Sequence, residues 1–272
     1  MSVLDEILAT KRDEVTLLHQ PQTRDAVRRA ALDAPPARDF TERLRVRSHD
    51  GGRLGLVAEI KRRSPSKGDL APELDAASTA MAYERGGACC LSVLTDAPFF
   101  GGSVADLQAA RLAAPETPVL RKDFTIDPDQ VYETRGIGAD AILLIAAALP
   151  DDGLLRELHD LAVDLGLGVL VEVHDEAELE RALAIRARVI GINARDLGDF
   201  AEDLSVGERL VADLPADVVA IAESAIRTSA DARRMADAGF DAVLVGEALV
   251  RADDPEAFVH DLSEIPTSGR RT

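Results

Sequence analysis

From Leu54 onward the chain alternates short apolar runs, rich in β-branched residues, with longer stretches whose apolar positions recur at helical spacing. The runs cover 55–61, 89–95, 118–123, 140–146, 168–173, 189–194, 218–223 and 241–246; the helix-like stretches cover 75–86, 103–113, 128–137, 151–165, 175–186, 204–213, 228–238 and 255–263. Ser103, Asp127 and Thr228 stand where N-caps belong. Near-continuous apolar strands are covered on both faces, the mark of a parallel sheet. Eight βα units in roughly 210 residues predict an α/β fold of the closed (β/α)8 TIM-barrel type in preference to an open doubly wound sheet. An open sheet would more often carry Gly-x-Gly-x-x-Gly after its first strand, and that pattern is absent.

Ahead of the barrel, Leu4, Ile7, Leu8, Val15 and Leu18 predict an amphipathic helix. Residues 23–32 and 38–47 hold two more, separated by Ala34-Pro35-Pro36, and 48–52 reads as a loop. The expected organisation is one barrel domain over 1–272, with a helical N-terminal extension at 1–50 and a frayed polar tail at 266–272.

Composition adds exclusions. At 272 residues, 46% apolar and 29% charged, the chain has the make-up of a soluble globular protein. It has no uninterrupted apolar run long enough to span a bilayer, and Met1–Glu6 lacks the basic start and apolar core of a signal peptide, so cytoplasmic residence is expected. A formal charge of −18 argues against nucleic acid and against an anionic membrane surface. The adjacent Cys89 and Cys90 fit neither a disulfide framework nor a zinc pattern and read as core packing. His19, His49, His159, His174 and His260 show no metal-ligand spacing, so no metal is expected.

Charge patterning is more telling than net charge. The chain has 27 arginines but only four lysines, and Lys61, Lys67 and Lys122 fall at or just beyond the ends of apolar runs, with Lys11 apart. Arg keeps its proton in proteins, whereas a partly buried Lys can be tuned as an acid or base, so lysines retained against this bias are candidates for proton chemistry.

Barrel active sites form at the C-terminal ends of the strands. Polar residues gather there: Glu59 and Lys61 at the first, Lys122 and Asp123 at the third, Glu172 at the fifth, Asn193 and Arg195 at the sixth, Glu223 and Ser224 at the seventh, Gly246 and Glu247 at the eighth. Strands two and four end more blandly, in Thr95-Asp96 and Ala146–Ala148. Ionisable groups inside apolar strands are costly unless paired or functional. A closed ion network of Lys61 with Glu59 and Lys122 with Glu172 would account for the charges, but not for Asn193 or the cationic loop of Arg62, Arg63 and Lys67. That loop reads either as a solvated charge cluster or as part of a site for an anionic small molecule. The stretches after strands seven and eight suit phosphate, or plain tight turns. Phe99-Phe100-Gly101-Gly102 offers an aromatic wall, or core packing.

Six motifs in order carry a family resemblance: Ala58-Glu59-Ile60-Lys61-Arg62 with Ser64-Pro65-Ser66-Lys67-Gly68; Ser92-Val93-Leu94-Thr95 with Phe100-Gly101-Gly102-Ser103; Leu120-Arg121-Lys122-Asp123-Phe124; Leu170-Val171-Glu172-Val173-His174; Gly191-Ile192-Asn193-Ala194-Arg195-Asp196-Leu197; and Ala222-Glu223-Ser224. Together they resemble indole-3-glycerol-phosphate synthases over nearly the whole chain. The resemblance implies a carboxy-lyase of tryptophan biosynthesis that closes the indole ring of 1-(2-carboxyphenylamino)-1-deoxyribulose 5-phosphate, losing CO2 and water, with no metal or organic cofactor. It implies Lys122 as general acid, Glu172 as a proton-handling carboxylate, and Lys61 as carboxylate holder and second acid with Glu59 as its partner. Ser64, Phe100, Phe124, Asn193, Arg195 and Glu223 would contact substrate, and Ser224, the backbone of Ala225, Gly246 and Glu247 would hold phosphate. The expected partner is that anionic small molecule, bound by a monomer. One departure stands out: the family pattern after the seventh strand is Glu-Ser-Gly, and here it is Glu223-Ser224-Ala225, so weaker substrate binding is expected.

Overall fold

The computed structural model describes residues 2–50, 52–195 and 203–267. Gly51, Asp196 and Leu197 of the stretches above, and 268–272 of the expected tail, lie outside the described residues. All eight apolar runs form parallel strands: β1 Gly55–Ile60, β2 Cys90–Leu94, β3 Val119–Lys122, β4 Ala141–Ile145, β5 Gly168–Val173, β6 Val189–Asn193, β7 Val219–Glu223 and β8 Ala242–Val245. Each pairs with the next in sequence, and β8 returns to β1 to close the barrel. A two-residue ribbon, Arg63–Ser64 with Gly68–Asp69, follows β1.

Three helices precede the barrel: α1 Val3–Leu18, α2 Pro21–Asp33 and α3 Phe40–Arg45. The loop expected at 48–52 begins instead as a π turn over Val46–Asp50, whose buried Ser48 hydroxyl donates back to the Leu44 carbonyl at 3.2 Å. Ser48, His49 and Asp50 carry no helix breaker, so the helical backbone runs on through Asp50. The outer ring is α4 Ala76–Gly86, the four-residue α5 Ala97–Phe100, α6 Val104–Ala113, α7 Pro128–Gly136, α8 Asp152–Asp164, α9 Glu176–Ala184, α10 Leu204–Val211, α11 Ser229–Ala238, the short α12 Glu247–Val250 and α13 Pro255–Ser263. Ser103, Asp127 and Thr228 cap as expected, and Asp75, Asp151, Asp175, Asp203 and Asp254 cap the other long outer helices by accepting a backbone N–H. Each such cap is worth about 1 kcal/mol, and carboxylates at helix N-termini also meet the positive end of the dipole. Part of the acidic balance is therefore structural.

Alternate side chains on the strands point into the barrel. Val57 on β1, Leu120 on β3, Leu170 on β5, Val189 on β6 and Ile221 on β7 share one apolar cluster with Cys90. The next inward positions toward the strand ends are Glu59, Lys122, Glu172, Gly191 then Asn193, and Glu223. Phe40 and Leu44 of α3 are fully buried in the same cluster and plug the N-terminal end of the barrel. Buried Asp140 and Asp241 brace that floor: their carboxylates accept from the Val119 and Ala220 amides at 2.9 and 2.8 Å and also meet Arg38 and His49 of the extension. Cys89 and Cys90 are buried free thiols, and none of the described helices is long and apolar enough to cross a membrane.

Candidate active site

A cavity open to solvent sits at the C-terminal mouth of the barrel. Glu59, Lys61, Phe100, Lys122, Phe124, Glu172, Asn193, Arg195, Glu223, Ser224, Ala225, Gly246 and Glu247 all line it. Ser64 does not: its side chain is buried in the ribbon, and its neighbour Pro65 faces the cavity instead. The sequence reading missed Val3, Leu4 and Ile7 of α1, which form part of the wall.

At the centre, Lys122 Nζ lies 2.6 Å from Glu172 Oε2 and 3.1 Å from Glu223 Oε2. Burial alone would push the ammonium toward neutrality, but Glu172, Glu223 and Glu59 outweigh it and raise its pKa above that of a free lysine. Burial likewise favours a neutral Glu172, yet Lys122 and His174 hold its carboxyl well below the ordinary range. For Glu223, burial, reinforced by the neighbouring Glu172 against the pull of Lys122, pushes the carboxyl up to about 8. The pair is thus pushed apart, Glu172 toward the carboxylate and Glu223 toward the neutral acid. Titratable partners pushed apart in this way can accept and donate within one site. Asn193 Nδ2 donates to Glu172 Oε1 at 2.9 Å, and Asn193 Oδ1 accepts from the Arg195 amide at 3.1 Å. Arg195 Nη1 donates to Ser66 Oγ at 3.3 Å, joining the end of β6 to the loop after β1.

Lys61 Nζ lies 2.5 Å from Glu59 Oε1. Two glycines make room for these carboxylates: a Cβ on Gly246 would overlap the Glu59 carboxylate, and one on Gly191 would overlap that of Glu223. Gly246 therefore makes room for the Glu59 carboxylate, which its position after β8 did not reveal. Ser224 and Ala225 both adopt left-handed backbone, with φ of 66° and 59°. The Phe100 and Phe124 rings face the cavity with centroids 6.1 Å apart. Glu247, the first residue of α12, pairs with Arg251 at 3.3 Å.

Neither reading of the cationic loop describes Arg62 and Arg63, which do not line the cavity. Arg62 instead makes a two-pronged contact with Asp106 at 2.6 and 2.8 Å and donates to the Leu74 carbonyl, while Arg63 donates to the Ala97 and Pro98 carbonyls. The planar guanidinium fork suits such cross-links, which fasten the loop after β1 to the next βα unit. Lys11, set apart in the sequence, is 1% exposed, with Nζ at 2.9 Å from each of Glu14, Asp96 and Asp123. Burial disfavours its charge, but the carboxylates more than compensate and raise its pKa. Asp96, which had read as bland, is fully buried and also caps α5. Asp123 further accepts from Thr95 Oγ1 at 2.5 Å and the Phe124 amide at 2.8 Å. This network pins α1 beside Lys122. Its signal was present, since Lys11 falls on the apolar stripe of Leu4, Leu8 and Val15.

His19, Asp127 and Asp129 also converge. Asp129, however, is paired with Arg24 and Arg28, each at 2.8 Å, and Asp127 caps α7. The cluster therefore ties α1 and α2 to α7 by ion pairs.

A family model described as indole-3-glycerol phosphate synthase matches residues 4–262. An indole-3-glycerol phosphate synthase from Polaromonas naphthalenivorans is 48% identical over 260 residues, covering 96% of this chain and 98% of that protein. Indole-3-glycerol phosphate synthase 2 of Ralstonia nicotianae is 46% identical, covering 97% of each. Among solved structures, 3-hexulose-6-phosphate synthase from Salmonella typhimurium superposes with a TM-score of 0.62 at 16% identity, over 78% of this chain and 98% of that one. Tryptophan synthase subunit alpha from Legionella pneumophila gives 0.61 at 14% identity, over 84% and 98%. These two distant structures speak for the fold alone. With the family match spanning the barrel and its N-terminal helices, the chain belongs to the indole-3-glycerol phosphate synthase family.

Proposed function

We propose that this chain converts 1-(2-carboxyphenylamino)-1-deoxyribulose 5-phosphate to indole-3-glycerol phosphate, CO2 and water. The observation that carries the residue assignments is the Lys122 ammonium held between Glu172 and Glu223 at the mouth, with the Lys61–Glu59 pair lining the same cavity. In the first step the ring carbon bearing the carboxylate attacks the ketone carbon, and Lys122 delivers its proton to the oxygen. A developing alkoxide is more basic than any ammonium, so a lysine kept protonated by its neighbours is a competent donor there. Loss of CO2 returns the electron pair of the breaking C–C bond to the ring and restores aromaticity. The new hydroxyl then leaves as water with a proton from Lys61, and Glu172 accepts the proton lost from the neighbouring carbon, completing the indole. The proton taken by Glu172 passes to the discharged Lys122 across their 2.6 Å contact, and Lys61 regains its proton from solvent, with Glu59 holding the restored ammonium.

In this reading Asn193, Arg195 and Glu223 orient the substrate, and Phe100 with Phe124 packs its aromatic ring. Ser224, Ala225, Gly246 and Glu247 receive the phosphate. The enzyme works as a monomer in the cytoplasm, so light scattering should return the mass of one chain. The deciding experiment supplies the purified protein with the carboxyphenylamino substrate and follows indole fluorescence; absence of product would overturn the proposal. Lys122→Met should lower kcat by about 10²–10⁴-fold, the usual weight of a general acid. A near-parental rate would remove Lys122 from that role.

A further inference from the structure

His174 follows β5 and lies two residues beyond Glu172, on the same face. Its Nε2 is 3.4 Å from Glu172 Oε1, an ion-pair contact too poorly aligned for a full hydrogen bond. On the other side of the ring, Nδ1 is 3.0 Å from Glu178 Oε2, and the His174 amide donates to that same oxygen at 2.8 Å. Glu178 stands in the first turn of α9, whose N-cap Asp175 fixes it four residues after His174. Carboxylate, imidazole and carboxylate form a line that ends on the proton-handling group.

We propose that His174 is a positioning residue for the reaction: its imidazolium, anchored by Glu178, holds Glu172 ionised while Lys122 is discharged. The proposal rests on the reading of Glu172 as the proton acceptor. Glu172 is faced by Lys122 from β3, Asn193 from β6 and Glu223 from β7. Once Lys122 has given its proton to the ketone oxygen, the buried carboxylate has lost its main cation and stands beside another carboxyl group. Its own pKa would then rise toward that of a neutral buried acid, which could not accept the proton lost from carbon, unless a second positive charge remained. His174 supplies that charge from outside the substrate cavity. Burial disfavours the imidazolium, but Glu172 and Glu178 outweigh it and push its pKa up to about 10, so the charge persists at neutral pH.

The test has two parts. In NMR of the intact protein without substrate, the His174 ring signal is identified by its loss in His174→Gln. It should stay in the protonated position from about pH 5.5 to 8.5, and a midpoint near the ordinary value of about 6.5 would overturn the proposal. In turnover, His174→Gln should lower kcat about tenfold and move the acid limb of its pH profile up by about one unit, with KM within about twofold. A profile superimposable on the parent's would overturn the proposal. Glu178→Gln leaves the ring in place but removes its anchor, so a new alkaline fall in kcat should enter the range of about pH 7–9. Its absence counts against the proposal equally. Parental turnover by Glu172→Gln would sink the reading of Glu172 and this proposal with it. A normal His174 titration beside a crippled Glu172→Gln would sink this proposal alone.

Discussion

Ala225 is the residue where this chain departs from its family pattern, and its backbone makes the departure measurable. It sits at φ 59°, directly after Ser224 at φ 66°, so two consecutive side-chain-bearing residues occupy the left-handed region. An L-residue there costs roughly 1–2 kcal/mol, a cost glycine escapes. Against that, glycine loosens the unfolded chain by about 0.4–1 kcal/mol. The difference leaves Ala225→Gly more stable by about 1 kcal/mol, or about 2–4 °C in Tm for a chain of this size. Ala225 also lines the cavity where the phosphate is proposed to bind. Releasing its backbone should therefore lower KM about two- to threefold with kcat unchanged, the pattern of a gain in uniform binding. Thermal and urea unfolding followed by circular dichroism measure the first effect, and steady-state indole fluorescence the second. A variant with unchanged or lower Tm would refute the strain argument; an unchanged KM would refute the link between this turn and phosphate.

Lys11→Met leaves buried Asp96 and Asp123 without their shared cation. It should cost about 3–5 kcal/mol in urea unfolding, and a loss below about 1 kcal/mol would show that the network matters little to folding. Glu223 carries a folded-state pKa of about 8 against an ordinary 4.5. Between those values the unfolded chain binds fewer protons, so this group's contribution to stability falls as pH rises through that window. Glu223→Gln cannot ionise; its stability relative to the parent should climb between about pH 5 and 8 and level off above, and a pH-independent difference would disprove the shifted carboxyl.

The last inward positions of the strands were readable because side chains alternate along a strand, so Glu59, Lys122, Glu172, Asn193 and Glu223 could be placed at one mouth from spacing alone. Ser64 was not, because a two-residue ribbon is too short to show a period that tells which of Ser64 and Pro65 faces the cavity. Arg62 had a partner 44 residues away in Asp106, and Lys11 had partners in Asp96 and Asp123 on two different βα units. Periodicity shows which face of an element is buried but not which distant segment covers it.

The sequence by itself determined the eightfold rhythm, the strands that close the barrel, and the family and its reaction through six ordered motifs. Tertiary structure alone decided that α1 walls the cavity and that Gly246 and Gly191 clear space for Glu59 and Glu223. It also decided that Glu172 is pushed toward the carboxylate and its neighbour Glu223 toward the neutral acid. Protonation follows from burial and from distances among charges on several strands, and those distances exist only once the barrel has closed.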